Sequence, residues 1–187
     1  MKSDKLTYTN LIFIGISLST IFILIYNILY FNPILGYDAE AHYAYINYLS
    51  RYLPRDFRLP TINETREFFN PPIGYLVPSI AQVICRNVIE SSDFLSDCQP
   101  YYGKVTQVFQ SFMYIATIFI NLVTLKSINN SNKLINVSYL ILISLLAVNY
   151  RTISMIRGEP YILLFMSIFL YLIYKHEKSG FEFNFKY

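Results

Sequence analysis

From Leu6 to Tyr37 the sequence carries no charged residue. Within that run, Leu11 to Phe31 alone supplies the roughly 20 mostly apolar positions that a helix needs to cross a bilayer. Such a segment restricts the chain to membrane architectures, and composition agrees. Apolar residues make up 54% and charged residues 14%, with a mean hydropathy of +0.36, the balance of an integral membrane protein. A formal charge of +3 gives no basis for nucleic acid as a partner. Tyrosine (18) and phenylalanine (15) are heavily used while tryptophan is absent, and the tyrosine ring suits a membrane interface because its body is apolar and its hydroxyl is wet. The first run is longer than the apolar part of a secretory signal and no small-x-small cleavage site follows it, so it reads as a permanent anchor.

Three more segments are apolar enough to be expected as crossings: 105–125, 134–150 and 161–174, the last opening at Glu159. A fifth stretch, Phe68 to Cys85, is uncharged but holds Pro71, Pro72 and Pro78, which remove helix donors and kink the chain. The positive-inside rule chooses between four and five crossings. With four and a cytoplasmic N-terminus, Lys2, Lys5, Lys126, Lys133, Lys175, Lys178 and Lys186 lie inside, and the short outer loop keeps only Arg151 and Arg157. Five crossings would put five lysines outside. The expected fold is therefore an all-α membrane protein of about four transmembrane helices, with a cytoplasmic tail over 175–187 that includes His176.

On this reading 32–104 is one extracytoplasmic loop, too long to be a mere connector. Its first part, Asp38 to Leu53, lacks Gly and Pro and ends at Pro54. Ala39, Tyr43, Ile46, Leu49 and Leu53 recur at helical spacing, which predicts an amphipathic juxtamembrane helix. A second, surface or re-entrant, is expected within Phe68 to Ile89, opening after the Pro71-Pro72 pair because proline is tolerated in a first turn. Both cysteines, Cys85 and Cys98, fall in this loop, in a compartment that permits disulfides. A bridge closed by folding the chain back and a pair of unpaired thiols are both open.

Directly after the first crossing comes Tyr37-Asp38-Ala39-Glu40-Ala41-His42. Ionisable groups at the mouth of a membrane segment are costly to desolvate and mark candidate sites. Asp38 and His42 are four apart and share a helical face. A second acid, Glu159 in Arg157-Gly158-Glu159-Pro160, opens the last crossing on the same side. Each acid also has a plain structural reading as a helix start: Asp38 as an N-cap, Glu40 in a first turn, Glu159 beside a first-turn proline.

These residues, in this order, resemble the N-terminal part of the GT-C membrane glycosyltransferases, in particular glycosyltransferase family 39, which includes protein O-mannosyltransferases and aminoarabinose transferases. Asp38, Glu40 and His42 match an outer-loop acidic motif. Phe69-Asn70-Pro71-Pro72-Ile73-Gly74-Tyr75 matches a proline box, Lys126 to Lys133 a basic cytoplasmic turn, and Glu159 a second acid that opens the next helix. The departures are an Asp-Ala-Glu where the family has adjacent acids, Glu159 where Asp is common, and no His or Lys before the proline box, which leaves the substrate type open. Family members carry many more crossings and a further outer domain, so the chain is expected to correspond to their catalytic N-terminal third, a partial GT-C fold.

The resemblance implies transfer of a sugar from a polyprenyl-phosphate carrier to an acceptor on the outer face of a plasma, inner or endoplasmic reticulum membrane. A hydroxyl acceptor needs a carboxylate to take its proton, the role assigned to Asp38. Glu159 orients donor or acceptor, His42 holds Asp38 or the phosphate, and Glu40 and Asn70 complete the substrate contacts. Charge developing on the leaving phosphate needs cationic donors, for which Arg157 and Arg66 are the candidates. Asp38 and Glu40 offer hard oxygen ligands of the kind magnesium or manganese takes, so a divalent cation stays open as a cofactor. The competing class is a small non-catalytic membrane protein or assembly subunit whose acids only cap helices. A transporter fits least, because no acid lies inside the four apolar runs.

Overall fold

The computed structural model describes residues 2–33, 35–36, 38–53, 55–89, 98–128 and 132–178, and among these every element is an α-helix. The long uncharged run forms α1 (Lys2–Tyr30), of which Tyr8–Tyr30 is long and apolar enough to cross a membrane, with only 11% of its most apolar stretch buried. Leu11, Ile14, Leu18, Phe22 and Ile25 are exposed along it. A soluble protein does not leave so continuous an apolar stripe in water. The second such span, Tyr101–Ile128, lies in α4 (Gln99–Ile128).

The other two expected crossings take different forms. The segment 134–150 does not run as one helix: it is divided into α5 (Lys133–Leu145) and α6 (Ala147–Ser154), bent by 58° at the break. No Gly or Pro marks the bend. Instead Tyr114 Oη donates to Ile143 O at 3.0 Å and Asn149 Nδ2 donates to the same oxygen at 3.2 Å. Side-chain donors thus occupy a carbonyl at the end of the helical ladder, a recognised cause of kinks. The last helix, α7 (Glu159–Lys178), carries Glu159 in its first turn and Lys175, His176 and Lys178 in its last. Its apolar part between those charges is shorter than the roughly 20 residues of a standard span. Among the described residues two helices are thus long and apolar enough to cross a membrane, or three if the bent pair is one span.

A stripe of side chains on α4 holds the bundle together at its chain breaks. Lys104 Nζ donates to Ile28 O and Phe31 O at 2.6 and 2.8 Å, where α1 ends. Gln107 Nε2 donates to Phe31 O at 3.2 Å and to Ser154 O at 2.6 Å, where α6 ends. Gln110 Nε2 donates to Arg157 O at 2.7 Å, just before α7, and Tyr114 serves Ile143. Helix ends leave carbonyls without intrahelical partners, and apolar surroundings make an unmet carbonyl expensive. Residues spaced three and four apart on α4 meet those ends in turn.

Between α1 and α4 the chain builds a helical pair beside the bundle. Helix α2 (Ala39–Tyr52) and α3 (Ile73–Ile89) have nearly the bounds that periodicity and the flanking prolines predict. Tyr45, Ile46 and Leu49 of α2 pack with Tyr75 and Ala81 of α3, with Tyr102 of α4 and with Ile156. The seam is also polar: Gln82 bonds Asn47, and Arg86 Nη1 donates to Ser50 Oγ at 3.1 Å. Thr65 Oγ1 donates to Ala41 O at 2.7 Å and fixes the intervening loop to α2.

Cys85 and Cys98 form a disulfide with a Cα–Cα distance of 6.2 Å, within the range such bridges require. It ties the last turns of α3 to the start of α4. With a sequence separation of 13, chain entropy gives the bridge about 3 kcal/mol of stabilisation. The Cys85→Ser, Cys98→Ser double variant is expected to lose about that much in denaturant unfolding of the solubilised protein, and an unchanged midpoint would show that the bridge constrains nothing.

Candidate functional site

The short segment 155–158 leads out of α6 and into α7, and it brings two distant stretches of sequence to the start of α2. Gly74, in the first turn of α3, meets this segment backbone to backbone: a Cβ on Gly74 would lie 2.9 Å from Gly158 Cα. No side chain fits at that separation, so glycine permits the approach. The proline box and the Arg157-Gly158-Glu159-Pro160 turn are thereby pressed together.

Asp38 stands at the N-cap of α2, yet its side chain makes no capping hydrogen bond. It turns instead to Arg157, with Oδ2 3.8 Å from Nη1 and both side chains about a quarter exposed (29% and 25%). The guanidinium is carried on a backbone whose carbonyl is bonded by Gln110, which limits how far the turn can move.

His42 lies one helical turn further along α2 and is 4% exposed. Its Nδ1 is 2.7 Å from Tyr75 Oη, so tyrosine rather than Asp38 is its partner. Asn70 Nδ2 donates to Tyr75 Oη at 2.9 Å and to Glu67 Oε2 at 2.5 Å. Asn70 must present its NH₂ to the carboxylate, so the Tyr75 oxygen accepts from it and donates its own O–H in a hydrogen bond to His42 Nδ1. That chain fixes the neutral ring with its proton on Nε2. Nε2 is buried and has no hydrogen-bond partner among the described residues. An orphaned buried donor is unusual in a folded protein and calls for an explanation.

The charges around the ring agree with a neutral state. Burial, then the positive charge of Arg157, push His42 from its ordinary 6.5 down to about 4, against the smaller opposing pull of Asp38 and Glu159. Burial also raises the Tyr75 hydroxyl well above its usual range, countered in part by the Asn70 hydrogen bond. Glu159 itself is exposed in the first turn of α7. It edges a cavity of about 260 Å³ between α4, α6 and α7, whose walls include Tyr114, Asn149, Pro160 and Leu163.

Of the residues singled out in the sequence, Asp38, His42, Asn70, Arg157 and Glu159 therefore share one electrostatic neighbourhood. Glu40 and Arg66 do not join it: both are exposed and neither has a hydrogen-bond or ion-pair partner among the described residues. Residues two apart at a helix start point in different directions, which separates Glu40 from Asp38. Among the described residues no group of three or more His, Cys, Asp or Glu side chains is arranged to hold a metal ion. Tyr75 and Glu67 were not among the expected site residues. Tyr75 was visible as the last residue of the proline box, whereas nothing in the sequence separates Glu67 from its exposed acidic neighbours.

No protein-family model, curated protein or solved structure matches the chain.

The depressed His42 value has a definite sign for stability. The ring titrates near 6.5 when unfolded and near 4 when folded. Between these values the unfolded chain binds more protons, so stability falls as pH is lowered through the window and is fully present above it. The contribution amounts to about 3 kcal/mol. His42→Gln is expected to flatten the loss of stability between pH 6.5 and 4.5, read from unfolding midpoints; parallel profiles for the two proteins would contradict a buried neutral ring.

Proposed function

We propose that this protein is a membrane glycosyltransferase of the GT-C type, resembling family 39, which moves a sugar from a polyprenyl-phosphate carrier to an acceptor on the extracytoplasmic face. The observation that carries the reading is the junction of Asp38 and Arg157 beside the orphaned Nε2–H of His42. It offers a base, a cation and a buried neutral donor within one small neighbourhood. These are the groups that proton abstraction from an acceptor and stabilisation of a leaving phosphate call for. The order of the motifs supports it too, since the proline box meets the turn before the second acid at the Gly74–Gly158 contact, and Asp38 and His42 of the acidic motif reach them through Arg157 and Tyr75.

In this mechanism the acceptor hydroxyl gives its proton to the Asp38 carboxylate while its oxygen bonds to the anomeric carbon. The bond from that carbon to the carrier phosphate breaks, and the electron pair leaves with the phosphate. Arg157 neutralises the charge that develops, and the buried neutral ring of His42 stands behind the Asp38–Arg157 pair. Glu159 orients the sugar at the mouth of the cavity between α4, α6 and α7, whose apolar walls suit an isoprenoid stem. The reading of a small protein with acids that only cap helices is weakened by Asp38, whose side chain caps nothing.

We assign four crossings, with α5 and α6 as one broken span, and place Asp38 and Glu159 outside. The disulfide supports this, because such bridges persist in oxidising compartments. So does the lysine distribution: Lys126 and Lys133 lie at the far end of α4, whose 30 residues cover about 45 Å.

Two measurements test the proposal. In membranes supplied with a polyprenyl-phosphate-linked sugar, Asp38→Asn should lower transfer by about 100-fold or more with insertion unchanged, and Glu159→Gln should lower it less. Transfer at the normal rate by the Asp38 variant would sink the catalytic assignment. For topology, a cysteine at Arg66 should react with a membrane-impermeant maleimide added outside intact cells, and one at Asn130, which lies outside the described residues, should not. Labelling at 130 from the outside would exclude four crossings.

A further inference from the structure

At the end of the bundle away from Asp38, a second cavity of about 220 Å³ opens between Thr9, Asn10 and Phe13 of α1, Lys126 of α4, and Lys133, Asn136 and Val137 of α5. Among the described residues two ammonium groups line it, and no carboxylate does. Lys133 Nζ donates to Asn10 Oδ1 at 3.1 Å, which uses one of its three donors. Lys126 has no hydrogen-bond or ion-pair partner among the described residues. The Oδ1 atom of Asn136 is buried and unpartnered, an acceptor in want of a donor. The first turn of α5 adds to the positive field: Asn132 caps it through Leu134 N at 3.1 Å, and the remaining amides of that turn contribute their dipoles.

The depth of this cavity identifies what it meets. Tyr8 begins one membrane span and Ile128 ends the other, so Asn10 and Lys126 sit just inside the boundary of the apolar zone. Phe13 and Val137 continue the wall towards the membrane interior. A small soluble anion needs no such wall, whereas a phospholipid presents a phosphate at this level with an acyl chain below it. Basic pockets between membrane helices suit anionic headgroups.

We infer that the cavity bounded by Lys126, Lys133 and Asn136 is a binding site for the phosphate of one anionic phospholipid whose headgroup carries hydroxyls. The phosphate sits between the two ammonium groups, and a headgroup hydroxyl donates to Asn136 Oδ1. The bound lipid joins α1, α4 and α5 at their shared end. This site is independent of the proposed transfer chemistry, and neither reading falls with the other.

Native mass spectrometry of the purified protein, released from micelles doped with phosphatidylglycerol or phosphatidylcholine, tests the inference. The protein should retain one phosphatidylglycerol in marked preference to phosphatidylcholine. Lys126→Gln and Lys133→Gln should each weaken that retention about five-fold, and the double variant about 25-fold. Lys133→Arg, which keeps the charge, should retain the lipid and shows that the helix end still folds. Lys175→Gln, at the same end but off the cavity wall, should leave retention unchanged. Equal retention of the two lipids, or an unaffected double variant, would overturn the site. Displacement of the lipid by millimolar inorganic phosphate would assign the cavity to a soluble anion and likewise overturn it.

Discussion

The architecture depends on side-chain donors placed on one stripe of α4. Membrane surroundings forbid unpaired carbonyls, yet this chain interrupts its helices after Tyr30, Leu145 and Ser154. Lys104, Gln107, Gln110 and Tyr114 answer those interruptions one after another. Without them the carbonyls at these breaks would lose their side-chain donors, and the turn that carries Arg157 and Glu159 would lose the Gln110 bond that holds it. The polar stripe is therefore what allows irregular backbone at the point where the candidate site is assembled. Its members look like misplaced polar residues in an apolar run only while α4 is considered alone.

The site illustrates how burial and charge act together. His42 is held by Tyr75, which is held by Asn70, which is held by Glu67. This chain does not bring a proton to the ring; it decides which nitrogen carries one. Arg157 then reinforces the neutral state while pairing with Asp38. One guanidinium thus acts on two groups in different ways, keeping the imidazole uncharged and facing the carboxylate as a counter-ion.

Much of the helical framework was legible in the sequence because it follows from local rules. The bounds of α2 came from apolar spacing and Pro54, those of α3 from the Pro71-Pro72 pair, and the first span from a charge-free run. The bend at Leu146 was not legible. No local breaker marks it, and the donor that competes for Ile143 arrives from Tyr114 on another helix. The expected fourth crossing came out as a helix with charged ends and a short apolar middle. At the site, shared spacing explained why Asp38 and His42 are neighbours on one side of α2, whereas Glu40 is exposed. Gln107 and Gln110 were legible in principle, as polar residues three apart inside an apolar segment. Their carbonyl partners were not, because those lie at breaks that only the folded chain defines.

The covalent tie between Cys85 and Cys98 has a consequence for the order in which the molecule is built. Both cysteines precede all of α5, α6 and α7 in the chain, and synthesis proceeds from the N-terminus. The α2–α3 pair can be clamped to the head of α4 before the last three helices exist. Asp38, His42, Asn70 and Tyr75 would then stand ready on a finished platform, and Arg157 and Glu159 would be delivered to it when the final helix docks against Gly74. Completion of the site thus becomes a readout of completed assembly: a chain that stalls before its last helix carries the platform but not the charges that make it a site.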